Sequence, residues 1–157
     1  MQESNFIHIT DGIAQVIKTE ESLLYGLSTE VITQRRNKQN RTIKQILGHV
    51  IDSASNNHQR MVRLQYSKDL LFFPDYRQDN DQWIALQDYQ NADWTNLIQL
   101  WKFYNLHIIQ VIHSVDIAKL DSYWCDFEGT KVTLKEMIEG YLDHQHLHIK
   151  EIHELVV

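Results

Sequence analysis

The chain has 157 residues, 43% of them hydrophobic and 23% charged, which suits one soluble domain with one core. Its net charge of −6, counted with histidine neutral, argues against nucleic-acid binding, which usually shows as a basic patch. No apolar run approaches the roughly 18 residues of a membrane span, and residues 1–5 lack the basic start and apolar run of a signal peptide.

Five glycines and one proline are few for strands joined by tight turns, so helices are expected. Four segments carry the helical period of apolar residues. The first spans about 11–30, with Ile13, Val16, Ile17, Leu24 and Leu27 on one face and Thr10 or Asp11 as cap. The basic stretch Arg35-Arg36-Asn37-Lys38-Gln39-Asn40-Arg41 reads as a solvated loop. The second helix spans about 42–66. It opens on a capping box, Thr42-Ile43-Lys44-Gln45, and carries the stripe Ile43, Ile46, Leu47, Val50, Ile51 and Ala54.

A long connection follows, over about 67–92. It holds Pro74 and the rings of Phe72, Phe73, Tyr76, Trp83 and Tyr89. So many aromatics should pack against the helices. A short helix near 82–86 fits within it. A connection of roughly 25 residues can cross the length of a bundle. The third helix spans about 93–115, capped by Asp93, with Trp94, Leu97, Ile98, Trp101, Ile108 and Ile112 inward. Residues 116–132 read as irregular, with a short extended piece at 122–127 and a turn at Gly129; Cys125 falls in this loop. As the only cysteine it has no internal disulfide partner, so a cytoplasmic location is expected. The fourth helix spans about 133–155. It opens on the capping box Thr133-Leu134-Lys135-Glu136 and carries the stripe Leu134, Met137, Ile138, Tyr141, Leu142, Ile149 and Ile152. The expected fold is all-α: a four-helix bundle in a single domain over 1–157, with a long crossover between helices two and three.

The chain holds nine histidines. His144 and His148 lie one turn apart at the edge of the apolar stripe, where both rings can reach one cation. His146 and His153 fall toward solvent. A lone pair of this kind is more often two satisfied, half-buried side chains. A third candidate ligand strengthens the metal reading. His49, on the second helix, heads a polar strip of Asp52, Ser53, Asn56 and Arg60, which suggests a cleft beside the core, although a solvated face is the plain alternative for Asn56 and Arg60. Three imidazoles with open positions describe a catalytic site, since structural zinc is normally closed by four protein ligands. Zn, Ni or Fe(II) would each suit imidazole. Asp52 is a candidate to orient a ligand or act as base, and His107 a candidate to support the site. His8, His58, His113, His146 and His153 read as surface or structural. A di-iron bundle is excluded, because it needs inward glutamates on several helices.

Two segments carry a family likeness. They are Ile46-Leu47-Gly48-His49-Val50-Ile51-Asp52, followed by Arg60, and Tyr141-Leu142-Asp143-His144-Gln145-His146-Leu147-His148-Ile149-Lys150-Glu151-Ile152. In these the chain resembles the DinB-like (YfiT-type) family of helical-bundle metalloproteins, over nearly its whole length. The resemblance implies that His49, His144 and His148 are the metal ligands, that helices two and three are joined by a crossover, and often that the protein is a homodimer. It implies a metal-dependent enzyme acting on a small molecule, in which the ion activates a low-molecular-weight thiol for transfer to an electrophile. Asp52, Asn56, Arg60 and Tyr104 are weak candidates to position thiol or substrate. Two rivals stay open: a metal-dependent hydrolase, and a non-enzymatic stress-response or binding protein whose bundle the metal stabilises.

Overall fold

The computed structural model of the chain describes residues 6–67, 71–72, 79–125 and 128–157. Four long helices form the body: α1 (Ile7–Gly26), α3 (Ile43–Tyr66), α5 (Trp94–His113) and α6 (Leu134–Val156). Two short ones, α2 (Thr29–Gln34) and α4 (Asn80–Leu86), sit in the connections. Helices α1 and α3 each pack on both α5 and α6, so α1 faces α3, and α5 faces α6, across the core. This is the expected four-helix bundle. Among the described residues no helix is long and apolar enough to cross a membrane.

The apolar stripes close on one another as their spacing requires. Ile13, Leu24, Ile46, Leu47, Ile98, Trp101, Ile108 and Ile138 are all buried. Each contributes on the order of 1.5–3 kcal/mol in surface removed from water. Both capping boxes form: Gln45 Oε1 accepts the Thr42 N–H at 2.9 Å, and Glu136 Oε2 accepts that of Thr133 at 2.8 Å. Each box satisfies N–H groups that the first helical turn leaves free.

The first helix differs from expectation at both ends. It begins at Ile7, so Thr10 and Asp11 lie inside it and cap nothing. The Thr10 hydroxyl instead donates back to Ile7 O at 3.1 Å. Apolar Phe6 holds the cap position and is itself buried, so packing closes this end. At the other end Leu27 and Ser28 are extended, and Ser28 Oγ accepts the Val31 N–H to start α2. Residues 29–30, read as the tail of the first helix, therefore belong to α2. The basic loop that follows is less free than its charge suggested. Arg35 donates to Leu155 O at 2.6 Å, and Arg41 pairs with Asp81 at 2.7 Å.

In the long connection, Phe73, Pro74 and Tyr76 lie outside the described residues, as does the side chain of Phe72. Tyr89 is buried and Trp83 half-buried, in line with the packing expected of this segment. The extended piece expected at 122–127 contains a strand, but the small sheet it joins was not foreseen. Strand β1 (Leu71–Phe72) runs parallel to β2 (Tyr123–Cys125), which pairs antiparallel with β3 (Lys131–Thr133). Cys125 thus lies buried in a strand and not in a loop. Asp126 and Phe127 fall outside the described residues, and Gly129 turns the chain at φ 80°.

A polar bridge spans the bundle's centre. Asn105 Oδ1 accepts from the Tyr141 hydroxyl at 2.8 Å and from Gln145 Nε2 at 2.7 Å, while Asn105 Nδ2 donates to Trp101 O. All these side chains are buried. Asn105→Leu removes the acceptor shared by two buried donors, each costing about 1–3 kcal/mol when left unpaired. Chemical denaturation should show a loss of about 2–4 kcal/mol on that account. Parental stability would mean that the bridge contributes nothing.

Candidate metal centre

The three histidines singled out from sequence meet. His49 comes from the second turn of α3, and His144 and His148 from successive turns of α6. One ligand-capable atom from each lies within 4.8 Å of the other two. Ring centroids are 4.6 Å apart for His49 and His148, 4.5 Å for His144 and His148, and 5.6 Å for His49 and His144. His49 and His148 are buried, and His144 is half-buried. Among the described residues this is the one cluster of three or more His, Cys, Asp or Glu side chains so placed.

The tautomers follow from the neighbours. Glu151 Oε2 lies 2.9 Å from His148 Nδ1. A carboxylate only accepts, so Nδ1 carries the proton and Nε2 keeps its lone pair. Ser53 Oγ stands 3.5 Å from His144 Nδ1, on the side away from the cluster. The two Nε2 atoms face each other at 3.2 Å. Two imidazole nitrogens on one tetrahedral zinc would stand about 3.4 Å apart, given bonds of ~2.0–2.1 Å. The donor set, and the spacing of its α6 pair, thus fit a small divalent cation.

Glu151 was missed in reading the sequence. It orients His148 and is itself approached by Asn37 Nδ2 at 3.4 Å, from the basic loop. The His-x-x-Glu spacing on one helix was the available signal, since residues three apart are neighbours. Carboxylates in this position fix ring orientation and raise ligand basicity.

Electrostatics keep His49 and His144 neutral. Burial, then His148 and His144 beside it, push the His49 imidazole from 6.5 down to about 3. Burial, then His148, push His144 from 6.5 to about 4. Both shifts hold the rings in the form that binds metal. They also set a stability window. With folded pKa values below the unfolded 6.5, the unfolded chain binds more protons between about 3 and 6.5. Metal-free protein should therefore be most stable above that window and lose stability as pH falls through it. Melting of chelator-treated protein at pH 7 and near pH 5 checks this, and His49→Gln should make the fall shallower. A flat profile would sink it.

The weaker candidates scatter. Asp52 is buried, and its Oδ1 accepts from the Tyr89 hydroxyl at 2.6 Å and from Gln87 Nε2 at 2.7 Å. Burial raises its pKa against the lowering effect of those two bonds. Asn56 is buried, so the solvated-face alternative does not hold for it. Arg60 is half-buried, with its guanidinium 4.2 Å from the centre of the Trp124 ring. The Tyr104 hydroxyl lies 3.2 Å from His58 Nδ1. His107, considered as support for the cluster, packs instead on His58, at 4.9 Å between ring centres. His113 and His153 have structural partners, Thr10 and Glu20.

Comparison with known proteins gives one family and several solved structures of similar fold. The sequence profile of the DinB superfamily matches residues 14–152. No curated protein matches the sequence. Among solved structures, YfiT from Bacillus subtilis, described as a probable metal-dependent hydrolase with an unusual four-helix bundle topology, superposes with a TM-score of 0.81. It is 16% identical, over 99% of this chain and 87% of that one. A mycothiol-dependent maleylpyruvate isomerase superposes with a TM-score of 0.74 at 10% identity, over 92% of this chain but 59% of that one. At such identities the likeness is one of fold.

Proposed function

The chain belongs to the DinB superfamily, and from that premise we propose that it is a metal-dependent enzyme in which His49, His144 and His148 hold one divalent ion. The observation that carries this reading is the meeting of three imidazoles whose ligand-capable nitrogens converge while Glu151 and Ser53 hold Nδ1 of the α6 pair from outside. Zn, Ni and Fe(II) all accept such a donor set. When bound, the ion would lower the pKa of a coordinated thiol or water and leave it nucleophilic at neutral pH.

The protein's own residues do the rest. Burial keeps His49 and His144 neutral, so protons compete weakly for the site. Glu151 fixes the His148 tautomer. Arg60, Asn56, Asp52 and Tyr104 are the side chains offered for positioning thiol or substrate. We place thiol transfer to an electrophile first, with a small thiol as cosubstrate. Hydrolysis is the second reading, favoured by the description of YfiT. A homodimer and a cytoplasmic location belong to the same proposal, and sedimentation of the purified chain tests the first of these.

Thiol dependence separates the two reactions. Metal-loaded protein, prepared without a histidine tag, is given a small thiol and a model electrophile. Conjugate formation that stops on chelation supports transfer; ester turnover that needs no thiol supports hydrolysis. Transfer that persists after the metal is removed would overturn both. One variant probes the orienting carboxylate. Glu151→Gln keeps the shape but removes the charge on His148, and metal affinity should fall by about 10–100-fold, as outer partners of ligand histidines typically cost. Competition with a chromogenic chelator measures it, and unchanged affinity would dismiss the role of Glu151.

A further inference from the structure

One cavity is lined by none of the three clustered histidines. A cleft of about 500 Å³ opens between α3 and α5, beside α4 and the turn that follows it. That volume falls in the usual range of small-molecule sites, roughly 300–1,000 Å³. Its walls are mostly apolar, with Trp83 from α4 and Leu97, Leu100 and Tyr104 from α5. Asp52 breaks the pattern, as a carboxylate 3% exposed in the wall of a greasy cleft.

The surroundings of Asp52 are incomplete. Tyr89 and Gln87 both donate to Oδ1. Oδ2 is enclosed and receives no hydrogen bond from the described residues. Among those residues no Lys, Arg or His pairs with this carboxylate. Burying a carboxylate without a cation is costly, and an apolar side chain of similar volume would serve packing better. The fold nonetheless builds a seat for it. The Tyr89 ring lies so close to α3 that a Cβ at Gly48 would come within 2.2 Å of it, and its hydroxyl then reaches Asp52. The charge this site lacks is positive, and the surface around it is apolar.

We propose that this cleft binds a small organic cation: an ammonium group that takes the place of the exposed Gln87 amide at Asp52 Oδ1, carried on an apolar or aromatic body seated among Trp83, Leu97, Leu100 and Tyr104. Neutral ligands of the same shape lack the charge that the buried carboxylate calls for. The cleft is lined by none of the three clustered histidines, so cation binding is tested apart from metal binding, although Asp52 and Tyr104 are also the residues offered above for positioning substrate.

Phenethylammonium is the probe, titrated into the full chain with metal chelated and with metal restored. Calorimetry and amide NMR follow the binding. One saturable equivalent is expected in both forms, with shifts at Trp83, Leu97 and Tyr104. Phenethyl alcohol should bind at least about tenfold more weakly, and Asp52→Asn should erase that preference. Ser55→Phe, which fills the cleft and leaves Asp52 intact, should block the probe and guards against an Asp52 variant that fails to fold. Absence of saturable binding, equal binding of the alcohol, or binding undisturbed by Ser55→Phe would each overturn the proposal.

Discussion

His148→Ala is expected to abolish stoichiometric metal binding while leaving the bundle folded. The ring sits within the cluster, 4.6 Å and 4.5 Å from the two other imidazoles by centroid, and Glu151 presets its lone pair. Losing it leaves two imidazoles, one on each helix, and no third donor of the cluster. The loss of affinity should exceed the about 10–100-fold that removal of an outer partner costs. Stability reports the same event. An ion at 100 times its Kd stabilises the native state by about 2.7 kcal/mol, through mass action alone. Parental protein should therefore melt later when metal is added, and the variant should not. Without metal the two should melt within a few degrees of each other, since the change is local. Calorimetric titration that still gives one equivalent at parental affinity would remove His148 from the site.

Gly48→Ala should destabilise the protein, against the intrinsic preference of a helix. Alanine normally stabilises a helix interior by up to about 1 kcal/mol over glycine. Here the added Cβ would stand 2.2–2.6 Å from three atoms of the Tyr89 ring. That ring has little freedom to retreat, because it is buried and its hydroxyl is bonded to Asp52 and Gln87. Overpacking of this kind costs about 1–3 kcal/mol and sometimes more. In a chain of 157 residues each kcal/mol moves the melting point by roughly 2–4 °C. A fall of roughly 2–12 °C is expected on that scale. Tyr89→Leu in the same background should recover part of it, since the two changes share one contact. A melting point above the parent's would show that the ring does not rest on Gly48.

Local chemistry made much of this fold legible. Thr42 with Gln45, and Thr133 with Glu136, mark helix starts because the capping box is complete within four residues. His144 and His148 declare a shared face by spacing alone. His49 is separated from them by most of the chain, and only the polar strip it heads, together with the family resemblance, pointed to it. What stayed hidden depends on contacts across the chain. Tyr89 meets Asp52 from inside a connection whose course no periodicity describes. Asn37 reaches Glu151 from a loop read as merely solvated. The alternation at 122–127 marked the strand β2, but strands of two and three residues are too short to show a period of two, so β1 and β3 left no trace. Phe6 starts a helix without a capping side chain, and a search for capping residues therefore begins too late.

The bridge of Asn105, Tyr141 and Gln145 makes the last helix an indexed part and not a sliding one. A slip of one turn, about 5.4 Å along its axis, would carry both donors away from their single acceptor and push apolar neighbours against it. The register of His144 and His148 along α6 is thus held against α5 by polar contacts that owe nothing to an ion. The protein meets its metal already aligned, and uptake should be a docking event whose speed reflects shedding of water by the ion, with no refolding of the chain.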